Sequence, residues 1–122
     1  MNRLKGIDLS DSFVLNWSFG DTFSITIEAS VWPESKFYFK PLNHEYTCYR
    51  KAILTFSDFS HCVGVKEQAS CIPTRDLDGT FDYGNIDSLT KTENGYEISG
   101  DFGSVVVLGG DFSLIFLQIT SP

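Results

Sequence analysis

"SFVLNWSFGDTFSITIEASV", residues 12–31, carries the pattern that decides the fold. From Phe23 onward every second residue is apolar: Phe23, Ile25, Ile27, Ala29 and Val31, with Ser24, Thr26, Glu28 and Ser30 between them. A two-residue period puts one set of side chains on one face of an extended chain, so this run predicts a strand with one face in a core. The preceding segment follows the same rule, with Phe13, Leu15, Trp17 and Phe19 set against Ser12, Asn16 and Ser18. Between the two runs, Gly20–Asp21 tolerates the positive φ of a tight turn, and the whole predicts a hairpin.

The same period recurs along the chain. In "EYTCYRKAILTFSD", residues 45–58, the even face carries Tyr46, Cys48, Ala52, Leu54 and Phe56. "IDSLTKT" and "GYEISGDF" flank a turn placed at Asn94–Gly95. "GSVVVLGGDFSLIFLQI", residues 103–119, reads as two further strands joined at Gly109–Gly110–Asp111. Their apolar residues are successive rather than alternate, which predicts burial on both faces, within a sheet centre or under a partner surface. A homodimer formed through residues 105–108 and 112–119 is therefore one expectation, and packing inside the protomer is the other. Only "GVKEQAS", near residues 64–71, offers a short helical turn. The chain reads as one domain, residues 1–122, all-β and antiparallel, a β-sandwich or partly closed barrel of about seven to nine strands with at most one short helix.

Composition agrees. The chain has 122 residues, with eleven Phe, five Tyr and two Trp against a single Met, a balance that suits sheets better than helical bundles. A formal net charge of −7 repels phosphate backbones and argues against nucleic acid as a partner. The same charge attracts a basic protein and also serves solubility. The N-terminal "MNRLKGIDLSDSF" has no apolar core of a signal peptide, and no run approaches the roughly 20 apolar residues that cross a bilayer. With an odd count of three cysteines, the expectation is a reduced, cytoplasmic chain with no membrane contact.

The densest cluster of chemistry-capable side chains is "RDLDGTFDYGNID", residues 75–87. Asp76, Asp78 and Asp82 offer closely spaced oxygen ligands, but Gly79 does not stand where an EF-hand needs its sharp-turn glycine, and the closing Glu is missing. Asp and Gly favour turns for backbone reasons, so the stretch is expected to be an Asx-turn loop without a metal. Among softer ligands, Cys62 and Cys71 lack the close pairing of a zinc site. His44 and Cys48 on an extended chain would stand roughly 13 Å apart. Adjacent His61 and Cys62 would face opposite sides of a strand. Free, buried or half-buried thiols and no cofactor are the expectation. The triplet "DFG" at 101–103 lacks every companion motif of a kinase.

Arg50 falls on the apolar even face of its strand, where a guanidinium requires a carboxylate or carbonyl partner. Glu28, Glu45 or an Asp of the 75–87 loop would serve, and an anion anchor in a cleft is the functional alternative. "VWPESKFYFKPLNHEY", residues 31–46, joins two long strands and holds Trp32, Phe37, Tyr38, Phe39 and Tyr46. Such aromatics either fold down as a lid or stand out as anchors for a partner, and the lid is the preferred reading.

"LSDSFVLNW", "WPES" with "EYTCYRKAILTF", "DYGNID" and "GYEISGDFGSVVV" together resemble small bacterial single-domain all-β proteins of unassigned function. Some of these are found near polymorphic toxin systems, where immunity proteins are encoded. The resemblance spans most of the chain and transfers no functional residues. Where those proteins often carry His, giving Leu-His-Asp-Ser, this chain has Ser10, which counts against an enzyme built on that side chain.

The leading expectation is a non-catalytic protein-binding domain, an immunity-type inhibitor that meets a basic partner through Trp32, Phe37 and Tyr38 with Asp76, Asp78 and Asp82. A small hydrolase or ligand-binding enzyme with Arg50, His44 and Asp82 in one cleft is the second. A carbohydrate-binding sandwich with a flat row of exposed aromatics, Trp17 and Trp32 foremost, is the third.

Overall fold

The computed structural model describes residues 2–38, 48–75, 79 and 81–117. The opening hairpin is present: β1 (Ile7–Phe19) and β2 (Phe23–Val31) run antiparallel. In β2 the sequence period is realised residue by residue, with Phe23, Ile25, Ile27, Ala29 and Val31 at most 1% exposed. β3 (Cys48–Val63) pairs with β2, and its even face buries Cys48, Ala52, Leu54 and Phe56. The chain continues through β4 (Thr74–Arg75), β5 (Phe81–Asp82), β6 (Ile86–Thr92), β7 (Gly95–Gly100) and β8 (Gly103–Phe116). Six strands form one antiparallel sheet in the order β1-β2-β3-β8-β7-β6, and β4–β5 is a separate two-stranded ribbon. The sheet curls until β1 reaches the residues just before β6, where Phe13 bridges Asn85. The fold is thus the all-β, partly closed form expected, with a short 3-10 turn at Gln68–Ser70 and a second at Asn2–Leu4.

The curled sheet encloses an aromatic spine. Phe23 stacks on Phe56 with ring centroids 6.1 Å apart, and Phe102 meets Phe23 edge-on at 5.7 Å. Tyr96 and Phe112 continue the spine at 5.3 Å in a T-shaped pair. Burying each such side chain stabilises by about 1.5–3 kcal/mol, and each ring pair adds roughly 0.5–1.5 kcal/mol. The aromatic-rich, Met-poor composition is this spine.

The structure corrects the reading in four places. Residues 103–116 form one bent strand, not two, and β3 pairs with both halves of it. The bend lies where Gly109 and Gly110 take φ values of 77° and 73°, opposite Asp58 at φ 59° on β3. A Cβ on Gly110 would stand 2.2 Å from the Ser57 carbonyl oxygen, so the two strands can kink together only with glycine there. β8 is also not buried on both faces: Val105, Val107 and Phe112 point inward, while Leu108 and Ile115 are exposed.

In β1 the inward face changes part-way. Ser12 and Val14 are buried, a register shift falls between Val14 and Asn16, and Trp17 is then buried while Phe19 is 49% exposed. Phe13 and Leu15 therefore do not share the core face with Trp17, because one extra residue in a strand exchanges its faces. Both hairpin turns use ordinary backbone: neither Gly20 nor Asp21 has positive φ, and the second turn sits at Glu93–Asn94, with Gly95 already opening β7.

Candidate functional site

The place where the barrel fails to close is the site of most interest. At its closed end, the Val14 N–H donates to the Gly84 carbonyl at 2.8 Å and the Tyr83 N–H to the Val14 carbonyl at 2.7 Å. The Asn85 side-chain amide donates to the Ser12 carbonyl at 2.8 Å. Towards the N-terminus of β1 the two edges separate. Residues 9–12 bulge out between the pairs Asp8–Ser30 and Phe13–Glu28. Buried Ser12 holds the bulge: its hydroxyl donates to the Asp8 carbonyl at 2.6 Å and accepts the Ser30 N–H at 2.9 Å. β6 has its own register shift between Ile86 and Ser88. Bulges bend a strand away from its neighbour, so two of them on facing edges open a seam.

The seam is a groove of about 620 Å³. One wall is Ile7, Asp8, Leu9 and Ser10, and the other is Ile86, Asp87, Ser88 and Leu89. The turn after β2 supplies Trp32 and Glu34 at its upper end. That turn is tied to the start of β1 by the Trp32 N–H donating to the Gly6 carbonyl at 2.7 Å. Gly6 has φ 76° and a Cβ there would meet the Ser35 backbone nitrogen at 2.6 Å, so the close contact needs glycine. Trp32 is 50% exposed at the rim. The lining has an apolar floor, three carboxylates (Asp8, Glu34 and Asp87) and one amine, Lys5. Asp8 also accepts the Ser10 hydroxyl at 2.6 Å. The surface is an apolar trough with an acidic border and an indole at its rim.

A second cavity of about 450 Å³ shares Lys5, Ile7 and Glu34 with the seam and adds Arg3 and Lys36. Arg3 is committed: its Nη1 forms an ion pair with Asp111 at 2.8 Å and donates to the Phe112 carbonyl, and the guanidinium lies 4.5 Å from the Phe112 ring centre. The Arg3 hydrogen bond holds the Asp111 carboxyl below its ordinary pKa, helped by the Phe112 N–H and the Tyr96 hydroxyl. Burial, with Asp111 adding to it, raises the Tyr96 phenol.

The residues singled out in the sequence are distributed over several places. Trp32 stands on the seam. Phe37 folds down, stacking on Phe116 at 4.0 Å, and Tyr38 packs partly buried against the core, so these two follow the lid reading. Arg50 Nη1 donates to the Phe37 carbonyl at 3.2 Å, and its guanidinium lies 5.6 Å from the Phe116 ring centre. Asp82 is buried in β5 and its Oδ1 accepts the Gly84 N–H at 2.8 Å, the Asx turn expected of this loop. Asp76, Asp78, Phe39, His44, Glu45 and Tyr46 lie outside the described residues. Of the two tryptophans, Trp17 is in the core, its indole N–H donating to the Lys66 carbonyl at 2.7 Å, which removes one of the aromatics a sugar platform would use.

Cys48 and Cys62 are buried and Cys71 half-buried, all three free. Burial pushes the Cys62 thiol up, which keeps it protonated and a poor nucleophile, while neighbouring His61 is exposed on the opposite face. Among the described residues no group of three or more His, Cys, Asp or Glu is placed to hold a metal, and no helix is long and apolar enough to cross a membrane.

The sequence did not single out Ile7, Asp8, Leu9 or Leu89 as a site; Ile86 and Asp87 stood in the 75–87 stretch and Glu34 in the 31–46 connection, where Asp87 was weighed only as a poor closing metal ligand. The available signal was an acid near the start of each of two strands, "IDLS" and "IDSL", a device typical of sheet edges. Comparison with protein-family models, with curated proteins and with solved structures found no match for this chain.

Proposed function

We propose that this chain is a non-catalytic protein-binding domain whose partner is a basic protein. The observation that carries the reading is half-exposed Trp32 on the rim of a groove with three carboxylates to one amine, in a chain of net charge −7. Tryptophan is the residue most enriched among energetically dominant interface positions, and an acidic border speeds encounter with a cationic surface. The resemblance to immunity-type proteins of toxin systems makes a toxin encoded in a neighbouring reading frame the first partner to try.

Calorimetric titration against that partner tests the reading. Binding should weaken at least tenfold on Trp32→Ala, and should weaken further as salt rises from 50 to 300 mM. Affinity indifferent both to Trp32→Ala and to salt would place the interface elsewhere and count against this function.

A further inference from the structure

β1 and β6 are the two terminal strands of the six-stranded sheet, and along residues 7–10 and 86–89 they face each other across the seam without pairing. Each edge of a sheet presents unpaired backbone N–H and C=O groups, and here two such edges line one groove. We infer that the seam takes an extended segment of the partner as an added strand, which completes the barrel, and that this segment carries Lys or Arg at alternate positions. The inference rests on the protein-binding reading above and specifies how that binding is made.

Three observations select this occupant. The floor is apolar along both walls, Ile7 and Leu9 on one side and Ile86 and Leu89 on the other. An extended segment places every second side chain on that floor and the others outward. Asp8, Asp87 and Glu34 border the groove, so the outward residues that fit are cationic. A second copy of this chain is the wrong chemistry, since pairing β1 or β6 with its own counterpart would bring acidic edges together. The bulges at residues 9–12 and at Asp87 also keep these edges too irregular for flat self-pairing. Lys5 lines the seam and is shared with the neighbouring cavity, which adds Arg3 and Lys36, so the acidic stretch gives way to cations on that side.

The probe is a ten-residue peptide alternating valine and lysine, mixed at 1 mM with the full chain. Trp32 fluorescence and amide hydrogen exchange are read together, with Trp17→Phe as background so that the rim indole is the only reporter. Strand addition predicts a shift in Trp32 emission with at least tenfold slower exchange in residues 7–10 and 86–89. It also predicts loss of both signals when the lysines are replaced by glutamate or when alternate peptide nitrogens are methylated. An emission shift without slower edge exchange, or one that survives N-methylation, would overturn strand addition while leaving the protein-binding reading in place. Equal binding of the glutamate peptide would overturn the charge selection. No response in either signal, together with no loss of partner affinity on Trp32→Ala, would remove both.

Discussion

The wall formed by β2, β3, β8 and β7 and the seam between β1 and β6 are made from the same kind of sequence, yet one is sealed and the other open. In the wall, β2 meets β3 in an unbroken register from Phe23–Phe56 to Val31–Cys48, β7 meets β8 without a break, and the one shift, between Phe59 and His61 on β3, lies beside the glycine kink of β8. Inward residues there, such as Ile25, Leu54 and Val107, are fully buried. At the seam, bulges divert both edges, and apolar residues such as Ile7, Leu9 and Leu89 remain only partly buried. Regular register converts apolar residues into stability, while interrupted register leaves them available to something else.

The largest effect should come from breaking the wall. Phe56 is fully buried and touches Phe23, Tyr96 and Phe112, so Phe56→Ala should cost about 3–5 kcal/mol in urea unfolding. Gly110→Ala should follow at about 2–3 kcal/mol, because a Cβ at φ 73° would press on the Ser57 carbonyl and force the β3–β8 kink apart. Ser12→Ala should cost about 1–3 kcal/mol by leaving the buried Ser30 N–H without its acceptor. Because Ser12 also shapes the bulge, the same variant should weaken partner binding, which Phe56→Ala, for all its larger stability loss, should not.

The smallest effect concerns pH. Asp111 has its folded pKa depressed by Arg3, so its contribution is present above the ordinary carboxylate value and is lost as pH falls through the lower folded value. Asp111→Asn should therefore be slightly less stable than the parent at neutral pH, and the gap should close in strong acid. The pair is exposed, so a small shift in the acid-unfolding midpoint is the expected reading. A gap that widens on acidification would contradict this sign.

The fold was legible wherever the two-residue period ran without interruption. Phe23 to Val31 and Cys48 to Phe56 were read correctly because nothing disturbs their alternation. β1 was misread because a single shift near Leu15 exchanges its faces, and no residue type announces it. Gly109–Gly110 was read as a turn because paired glycines serve both a hairpin and a bend, and only the pairing of β3 with both halves distinguishes them. For the site, Trp32 was visible as an aromatic in a long connection. Asp87 was visible only as an acid of the 75–87 loop, and its place opposite Asp8 was not, because it depends on how far the sheet curls, and this is set by bulges 70 or more residues apart in sequence.

The most direct test of the open-seam account is amide hydrogen exchange in the free, folded chain. An open seam predicts that those amides of residues 7–10 and 86–89 that point away from β2 and β7 exchange at least about 100-fold faster than the amides of Ile25, Ile27 and Leu54 in the wall. Equal protection at the seam and in the wall would mean that the barrel is closed there, and the proposed docking of a partner in the groove would fall with it.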